Sequence, residues 1–353
     1  MYDIVGKRNL WFAISAILTL PGLLFIFLGG LKPSIDFTGG TEWEVRYAEE
    51  PTVAEMTDAL AELGYDEALV APLADGILRI RTEPIDLIPA ETPAPSASAS
   101  LEPSGTAAAS AEPSASASAA PSASPSAEPS AAPIAEGTEF ADLEHELEDR
   151  FGPGEPQSLR TVGPIIGADL IRTSAILLII GELFILAYLW MRFGFRFGTA
   201  AIVALLHDVI LVVGTFAILG YFLNVEFDAL FVTALLTIIG FSVHDTIVVF
   251  DRIRENRIRH AGESFGAIVN HSILQTVGRS IITSLTVVVT LGALLLLGPP
   301  TIRTFTLALL LGVVSGTYSS IFNASQILVA WNEWDARRRT RPGAAKPARN
   351  ASR

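Results

Sequence analysis

Two titratable residues stand side by side near the end of an apolar run of membrane length. The run begins at Ala229, and His244 and Asp245 lie just before it ends. A carboxylate inside a membrane span is energetically costly, so its expected role is functional. Arg279 opens the next apolar run on the same predicted side of the membrane. An arginine favours the ionised carboxylate and desolvation opposes it, which suits a proton-transfer pair formed by Asp245 and Arg279.

Further polar residues in the apolar runs are secondary candidates for the same chemistry. His207 and Asp208 form a second pair in the middle of the preceding run, and Glu182 lies alone in an earlier one. Thr283 extends from Arg279 along one helical face. A similar polar face ends at His244, so the two faces predict a packed, hydrated seam between the two helices.

Structural roles remain open for each of these residues. Arg279 at a helix end can be a snorkelling anchor. Asp245 can be a hydrogen bonder without a transport role, and His244, His207 and Asp208 can be ordinary contacts between helices. Threonines such as Thr283 often serve only as packing contacts in membrane helices.

The composition points to a membrane protein with one acidic extramembrane region. Half of the 353 residues are hydrophobic, and the formal net charge is −13. Between residues 34 and 168 there are 25 acidic residues against 5 arginines, whereas the remainder is basic. The absence of cysteine excludes disulfides and thiolate metal sites. We expect no metal, no cofactor and no nucleic-acid binding, and we find no ATP-binding or hydrolase motif.

Hydropathy predicts a polytopic α-helical membrane protein with six transmembrane helices. An uncleaved first helix is favoured over a signal peptide because the apolar run is long and no cleavage motif follows. The basic loops place both termini in the cytoplasm (N-in, C-in) and the acidic region outside. The predicted segments are the N-terminus 1–9, helices 10–31, 171–190, 198–221, 229–250, 279–297 and 304–331, the exterior domain 34–168, a cytoplasmic amphipathic loop 251–278 and a basic tail 332–353.

The exterior domain is predicted to be a small ferredoxin-like α+β unit. Its pattern is strand–helix–strand–strand–helix–strand, with a capping-box spacing at Thr52 and Glu55. An Ala/Ser/Pro-rich insertion at about 89–135 interrupts it between the third strand and the second helix. This composition lacks large apolar side chains and predicts a disordered linker.

Several short motifs are spread along the chain. They are 30–41 (GLKPSIDFTGGT), 158–167 (SLRTVGPIIG), 204–209 (ALLHDV), 234–256, 279–286 (RSIITSLT) and 318–322 (YSSIF). Together they resemble the SecF family of the bacterial preprotein translocase, and the resemblance covers nearly the whole chain except the insertion and the tail. The D-F-T-G-G motif supplies Asp36, Phe37, Gly39 and Gly40, which are expected to be structural.

This resemblance implies a non-enzymatic, proton-coupled subunit of the resistance-nodulation-division superfamily in the bacterial cytoplasmic membrane. With a SecD-like protein, it would use the proton motive force to assist Sec-dependent protein translocation. The family's proton-transfer residues fall on Asp245 and Arg279, and His244 stands where asparagine is common. The implied partners are a SecD-like subunit, a SecYEG-type translocon, a YajC-like subunit as a further candidate, the translocating preprotein and membrane lipids.

Two other functions compete with this interpretation. A half-size exporter of lipids or small molecules from the same superfamily would work as a self-dimer. Full-length exporters of that class carry two six-helix halves in one chain, whereas this chain carries one. A pure scaffold would make Asp245 dispensable.

Overall fold

The computed structural model describes residues 3–73, 76–85 and 138–339. The chain divides into a helical unit, Met1–Thr38 with Pro164–Arg353, and a second unit, Gly39–Gly163. The Ala/Ser/Pro insertion predicted at about 89–135 and the tail beyond residue 339 lie outside the described residues.

The described residues form ten α-helices and six strands. The helices are α1 (Arg8–Phe27), α2 (Ile35–Thr38), α3 (Val53–Glu62), α4 (Glu139–Phe151), α5 (Pro164–Phe193), α6 (Phe195–Leu223), α7 (Ala229–Arg259), α8 (Phe265–Leu297), α9 (Arg303–Ser319) and α10 (Ser325–Arg339). The strands are β1 (Lys32–Pro33), β2 (Gly40–Tyr47), β3 (Leu69–Pro72), β4 (Leu78–Thr82), β5 (Gly154–Val162) and β6 (Glu226–Phe227).

Within the described ranges, six helical segments are long and apolar enough to cross a membrane, which confirms the predicted fold class. They are α1, α5, α6, α7, α8 and a composite of α9 and α10. A π-helical turn at Ser320–Ala324 joins the two parts of the composite helix. Such turns occur mostly as single insertions in α-helices and are frequent at functional sites.

Two of these helices extend well beyond their apolar runs. α7 has 31 residues and α8 has 33, whereas about 20 residues span the hydrocarbon core. The segment predicted as an amphipathic loop at 251–278 is therefore helical, apart from the turn between α7 and α8. Ion pairs from Glu255 to Arg252 and Arg259 stabilise this end of α7, and Ser264 caps α8.

The core of the helical unit has two clusters around α6 and α7, one shared with α9 and the other with α5, α8, the π-helical turn and α10. Gly312 on α9 packs so closely on α7 that an added Cβ would lie 2.2 Å from Ile238. Small residues at such positions let membrane helices approach each other. By contrast, most residues in the apolar parts of α1, α5 and α8 are not buried within this chain.

The second unit is a four-stranded antiparallel sheet with two helices. The strand order is β3-β4-β2-β5, which is the order of a ferredoxin-like fold and confirms the prediction. Alternate residues of β2, including Trp43 and Val45, pack with Met56 of α3 and Leu143 of α4. The predicted capping box is also present at the start of α3.

The D-F-T-G-G motif lies at the boundary between the two units. Residues 34–38, predicted as part of the exterior domain, belong to the helical unit because β1 pairs with β6. The Asp36 carboxylate accepts a hydrogen bond from the Ala229 amide at 3.0 Å, at the start of α7. Gly39 and Gly40 both have positive φ angles, 75° and 132°, which favour glycine. Asp36 thus bonds the first residue of α7, and the two glycines adopt backbone angles that other residues rarely adopt.

Candidate functional site

Asp245 is buried between three helical elements, with 7% of its surface exposed. The Ser280 hydroxyl of α8 donates to its Oδ1 at 2.7 Å, and the Ser320 hydroxyl donates to its Oδ2 at 2.6 Å. These distances are typical of hydroxyl donors to an ionised carboxylate. The carboxylate therefore ties α7 to both α8 and the π-helical turn.

Arg279 lies next to Ser280 in the chain but is exposed. Among the described residues, no ion pair or hydrogen bond joins its guanidinium to Asp245. It instead lines a cavity of about 390 Å³ together with Val248 and Thr276. These two residues lie one helical turn from Asp245 and Ser280, respectively, so the cavity comes within a turn of the buried carboxylate.

Asp208 forms a second carboxylate centre and is completely buried. Its Oδ2 accepts hydrogen bonds from Ser242 at 2.6 Å and Ser319 at 2.5 Å. Its Oδ1 accepts one from Ser315 at 2.6 Å and lies 3.1 Å from His207 Nδ1. The structure thus brings the predicted pair together and connects α6 with α7 and α9.

His244 and Thr283 do not join either centre. His244, next to the buried Val243, lies on the exposed face of α7. Thr283 donates its hydroxyl to carbonyl groups of its own helix. The predicted seam between α7 and α8 is therefore wrong for these polar faces, which point away from the chain. Their exposed members are Thr233, Thr237, Gly240 and His244 on α7, and Arg279, Thr283, Thr286 and Thr290 on α8.

The serine donors are the residues that the sequence analysis missed. Ser315 and Ser319 are four apart, which places them on one helical face. That spacing was the available signal, but serine in membrane helices is common as a packing contact and does not identify its partner. Glu182 is half-buried on α5, and we assign it no partner in the described residues. No group of three His, Asp or Glu side chains suited to a metal ion occurs there either.

Comparisons with known proteins identify the family. A family profile described as "Protein export membrane protein SecD/SecF, C-terminal" matches residues 143–334. The "Protein translocase subunit SecF" of Thermobaculum terrenum is 43% identical over 98% of this chain and 99% of its own length. The corresponding protein of Anaerolinea thermophila is 35% identical over 99% of both chains.

Relatives also exist in which a similar sequence forms part of a longer chain. "Protein translocase subunit SecDF" of Thermus thermophilus is 45% identical over 48% of this chain and 23% of its own length. The crystal structure of SecDF, a translocon-associated membrane protein from that organism, superposes with a TM-score of 0.70 at 30% identity. The match covers 94% of this chain and 39% of the solved chain. The chain belongs to the SecF family of protein translocase subunits.

Proposed function

We propose that this chain, paired with a SecD-like protein, uses the proton motive force to assist Sec-dependent protein translocation across the bacterial cytoplasmic membrane. The observation that carries the proposal is the setting of Asp245. It is a buried carboxylate in a membrane helix, held by two hydroxyl groups and one helical turn from a cavity. Ionisable residues in such positions mark proton relays.

The hydrogen bonds at Asp245 show how a proton would change the packing. Both carboxylate oxygens accept a hydroxyl hydrogen in this structure. A proton arriving from water converts one oxygen into a donor, so a hydroxyl that now donates to it must turn away or move. Because the two hydroxyls belong to different helical elements, protonation alters how α7 packs against α8 or the π-helical turn.

Arg279 would control the charge state of Asp245. Its guanidinium lines the cavity one turn away, and a positive charge favours the ionised carboxylate when the two approach. Because consecutive residues of an α-helix lie about 100° apart around its axis, Arg279 would replace Ser280 at Asp245 only through a large rotation of α8. We assign Arg279 this regulatory role and Asp245 the binding and release of the proton.

The polar faces of α7 and α8 support a SecD-like partner. His244 and Arg279 are exposed on this chain within or at the edge of apolar runs, and exposure of such groups to lipid is unfavourable. A partner helix would cover them. The name of the Thermus thermophilus relative, SecDF, is consistent with such a partner. A SecYEG-type translocon, a YajC-like subunit and the preprotein remain proposed partners.

The orientation follows from the charge distribution. Basic residues cluster at one end of the spans, including Arg192, Arg196 and the end of α7, and such clusters stay in the cytoplasm. We therefore place both termini in the cytoplasm and the acidic α+β unit on the exterior side.

The test replaces the Asp245 carboxylate with an amide of the same shape. Asp245→Asn is expected to abolish stimulation of preprotein export by a proton gradient in membrane vesicles, with the complex still assembled. Asp335→Asn is the control because Asp335 lies in the helical unit, in an ion pair with Arg196, and does not line that cavity. Full stimulation with Asp245→Asn would exclude the mechanism, and co-purification with a SecD-like protein checks the partner.

A further inference from the structure

Adjacent residues Ser319 and Ser320 donate to different carboxylates. Ser319 donates to Asp208 at 2.5 Å, and Ser320 donates to Asp245 at 2.6 Å. All four side chains are buried. A single peptide unit therefore connects the two carboxylate centres, so a displacement at one is transmitted directly to the other.

The backbone changes its helical type at this step. α9 ends at Ser319, and the π-helical turn begins at Ser320. Ser325 donates its hydroxyl to the Ser320 carbonyl, five residues earlier, at 3.1 Å. A π turn rotates the following residues relative to a continuous α-helix, which lets neighbouring serines face different partners.

Ser320 has a second acceptor within reach. Its hydroxyl lies 3.1 Å from the Thr317 carbonyl as well as 2.6 Å from Asp245. When a proton from water forms an O–H bond at Asp245 Oδ2, the Ser320 hydrogen can turn to that carbonyl. The Ser320 hydroxyl hydrogen only changes its acceptor, and no electron transfer is involved.

Asp208 anchors this step from the other side. Its two oxygens have four polar neighbours on α6, α7 and α9, which is more than Asp245 has. With His207 Nδ1 donating to Asp208, Nε2 is buried and has no partner among the described residues. These contacts hold the Asp208 carboxyl group in place, and with it the Ser319 hydroxyl.

We propose that Asp208 and Ser319 position Ser320 against Asp245 and so set the proton affinity of Asp245. Asp208 is in this role a positioning residue that acts through the serine pair. The inference rests on the proposed function, since it assumes that Asp245 binds protons.

Other ionisable groups around the two centres are few. Tyr318 stacks near His207, with ring centroids 6.3 Å apart, and α1 has no acid or base after Arg8. The π-helical turn contributes none. Within the apolar runs of the neighbouring helices, the remaining charged or histidine groups include half-buried Glu182 on α5 and the exposed His244 and Arg279 on α7 and α8. Beyond the apolar run of α7, Asp251, Arg252 and Glu255 line the cavity together with Arg279.

The experiment follows protonation of Asp245 directly. The full chain, with aspartate carboxyls labelled with carbon-13, is placed in lipid nanodiscs, and its infrared carboxyl bands are recorded against pH. Asp245→Asn identifies the Asp245 band. Ser320→Ala is the reference variant because it removes a direct donor.

Ser319→Ala is expected to shift the midpoint of the Asp245 band in the same direction as Ser320→Ala, by at least about half a pH unit. Ser284→Ala is the matched control. Ser284 is buried on α8 and bonds Thr317 of α9, and it has no hydrogen bond to either carboxylate. It should leave the midpoint unchanged.

Asp208→Asn provides a second measurement if Ser319→Ala does not fold. It retains the side-chain size and removes the charge, and it should also shift the midpoint. A midpoint that remains at the unmodified value in the folded variants would overturn the inference. Absence of any titrating Asp245 band in the unmodified chain would contradict the proposed function itself, and the inference with it.

Discussion

The Ser280 hydroxyl donates to Asp245 Oδ1 at 2.7 Å, and the residue before Ser280 is Arg279. Consecutive residues on α8 therefore offer Asp245 either a neutral donor or a positive charge. In this structure the Ser280 hydroxyl, the neutral donor, bonds the Asp245 carboxylate, and Arg279 lines the cavity. In the proposed mechanism, these two contacts would belong to two alternative states of one site.

The first prediction concerns the neutral donor. Ser280→Ala removes one hydrogen bond to a charged group, an interaction that contributes about 1.5–3 kcal/mol. We expect proton-dependent stimulation of export to fall at least several-fold while the chain still assembles with its partner. Vesicle export assays with and without a proton gradient measure this, and Ser284→Ala serves as the control. Equal loss in both variants would indicate a packing effect instead.

The second prediction concerns the close approach of α7 and α9. Gly312→Ala places a methyl group 2.2 Å from Ile238, a side chain that fills the contact. Overpacking of this kind costs about 1–3 kcal/mol. Thermal unfolding in detergent should show a lowered transition temperature. The double variant with Ile238→Ala should recover part of the loss, whereas an undisturbed Gly312→Ala would contradict the packing described.

The third prediction concerns Asp36 and the start of α7. Asp36→Ala leaves the Ala229 amide without this acceptor, and loss of a helix cap costs about 1 kcal/mol. Hydrogen exchange should accelerate in the first turn of α7 but not at its other end. Asp36→Asn keeps an acceptor oxygen and is expected to be milder. If exchange in both variants stays at the rate of the unmodified chain, Asp228, the N-cap residue, is sufficient to hold the start of α7.

The fourth prediction concerns pH and the α+β unit. Partial burial of Glu144, together with the neighbouring charge of Glu148, raises the pKa of the Glu144 carboxyl in the folded state. The folded state thus binds this proton more tightly than the unfolded chain does. Its stabilising contribution is present at low pH and is lost as pH rises through the folded pKa.

Glu144→Gln should therefore stabilise the α+β unit at neutral pH, and the gain should vanish at pH about 4, near the pKa of an unfolded glutamate. Hydrogen exchange of β2 in the full chain, measured across this pH range, reports the effect. Glu146→Gln provides the control because Glu146 is exposed on the same helix. A gain that grew at low pH would have the wrong sign.

Local sequence patterns predicted the elements well. The capping box at Thr52 and the helical spacing of Phe140, Leu143 and Leu147 are set by neighbouring residues, and both appear as expected. The apolar runs predicted the six membrane segments, and the helices α7 and α8 extend beyond these runs. The charged end of α7 continues the helix through ion pairs that hydropathy does not register.

The site was predicted less completely because it depends on contacts between distant helices. Asp245 was apparent as a costly buried charge, but its donors Ser280 and Ser320 are 35 and 75 residues away in sequence. Whether His244 and Thr283 face inward depends on which helices are neighbours, and spacing alone does not decide this. The π turn likewise has no clear sequence signal here.

The length of α7 has a mechanical consequence. Asp245 and the charged terminus near Arg259 belong to one uninterrupted helix, and Asn256 bonds Ser272 and Gln275 of α8. Fourteen residues separate Asp245 from Arg259, or about 21 Å at 1.5 Å per residue, so a tilt of about 5° moves the tip by about 2 Å. The pair can thus act as a stiff lever that carries motion from the apolar part of α7 to its charged end.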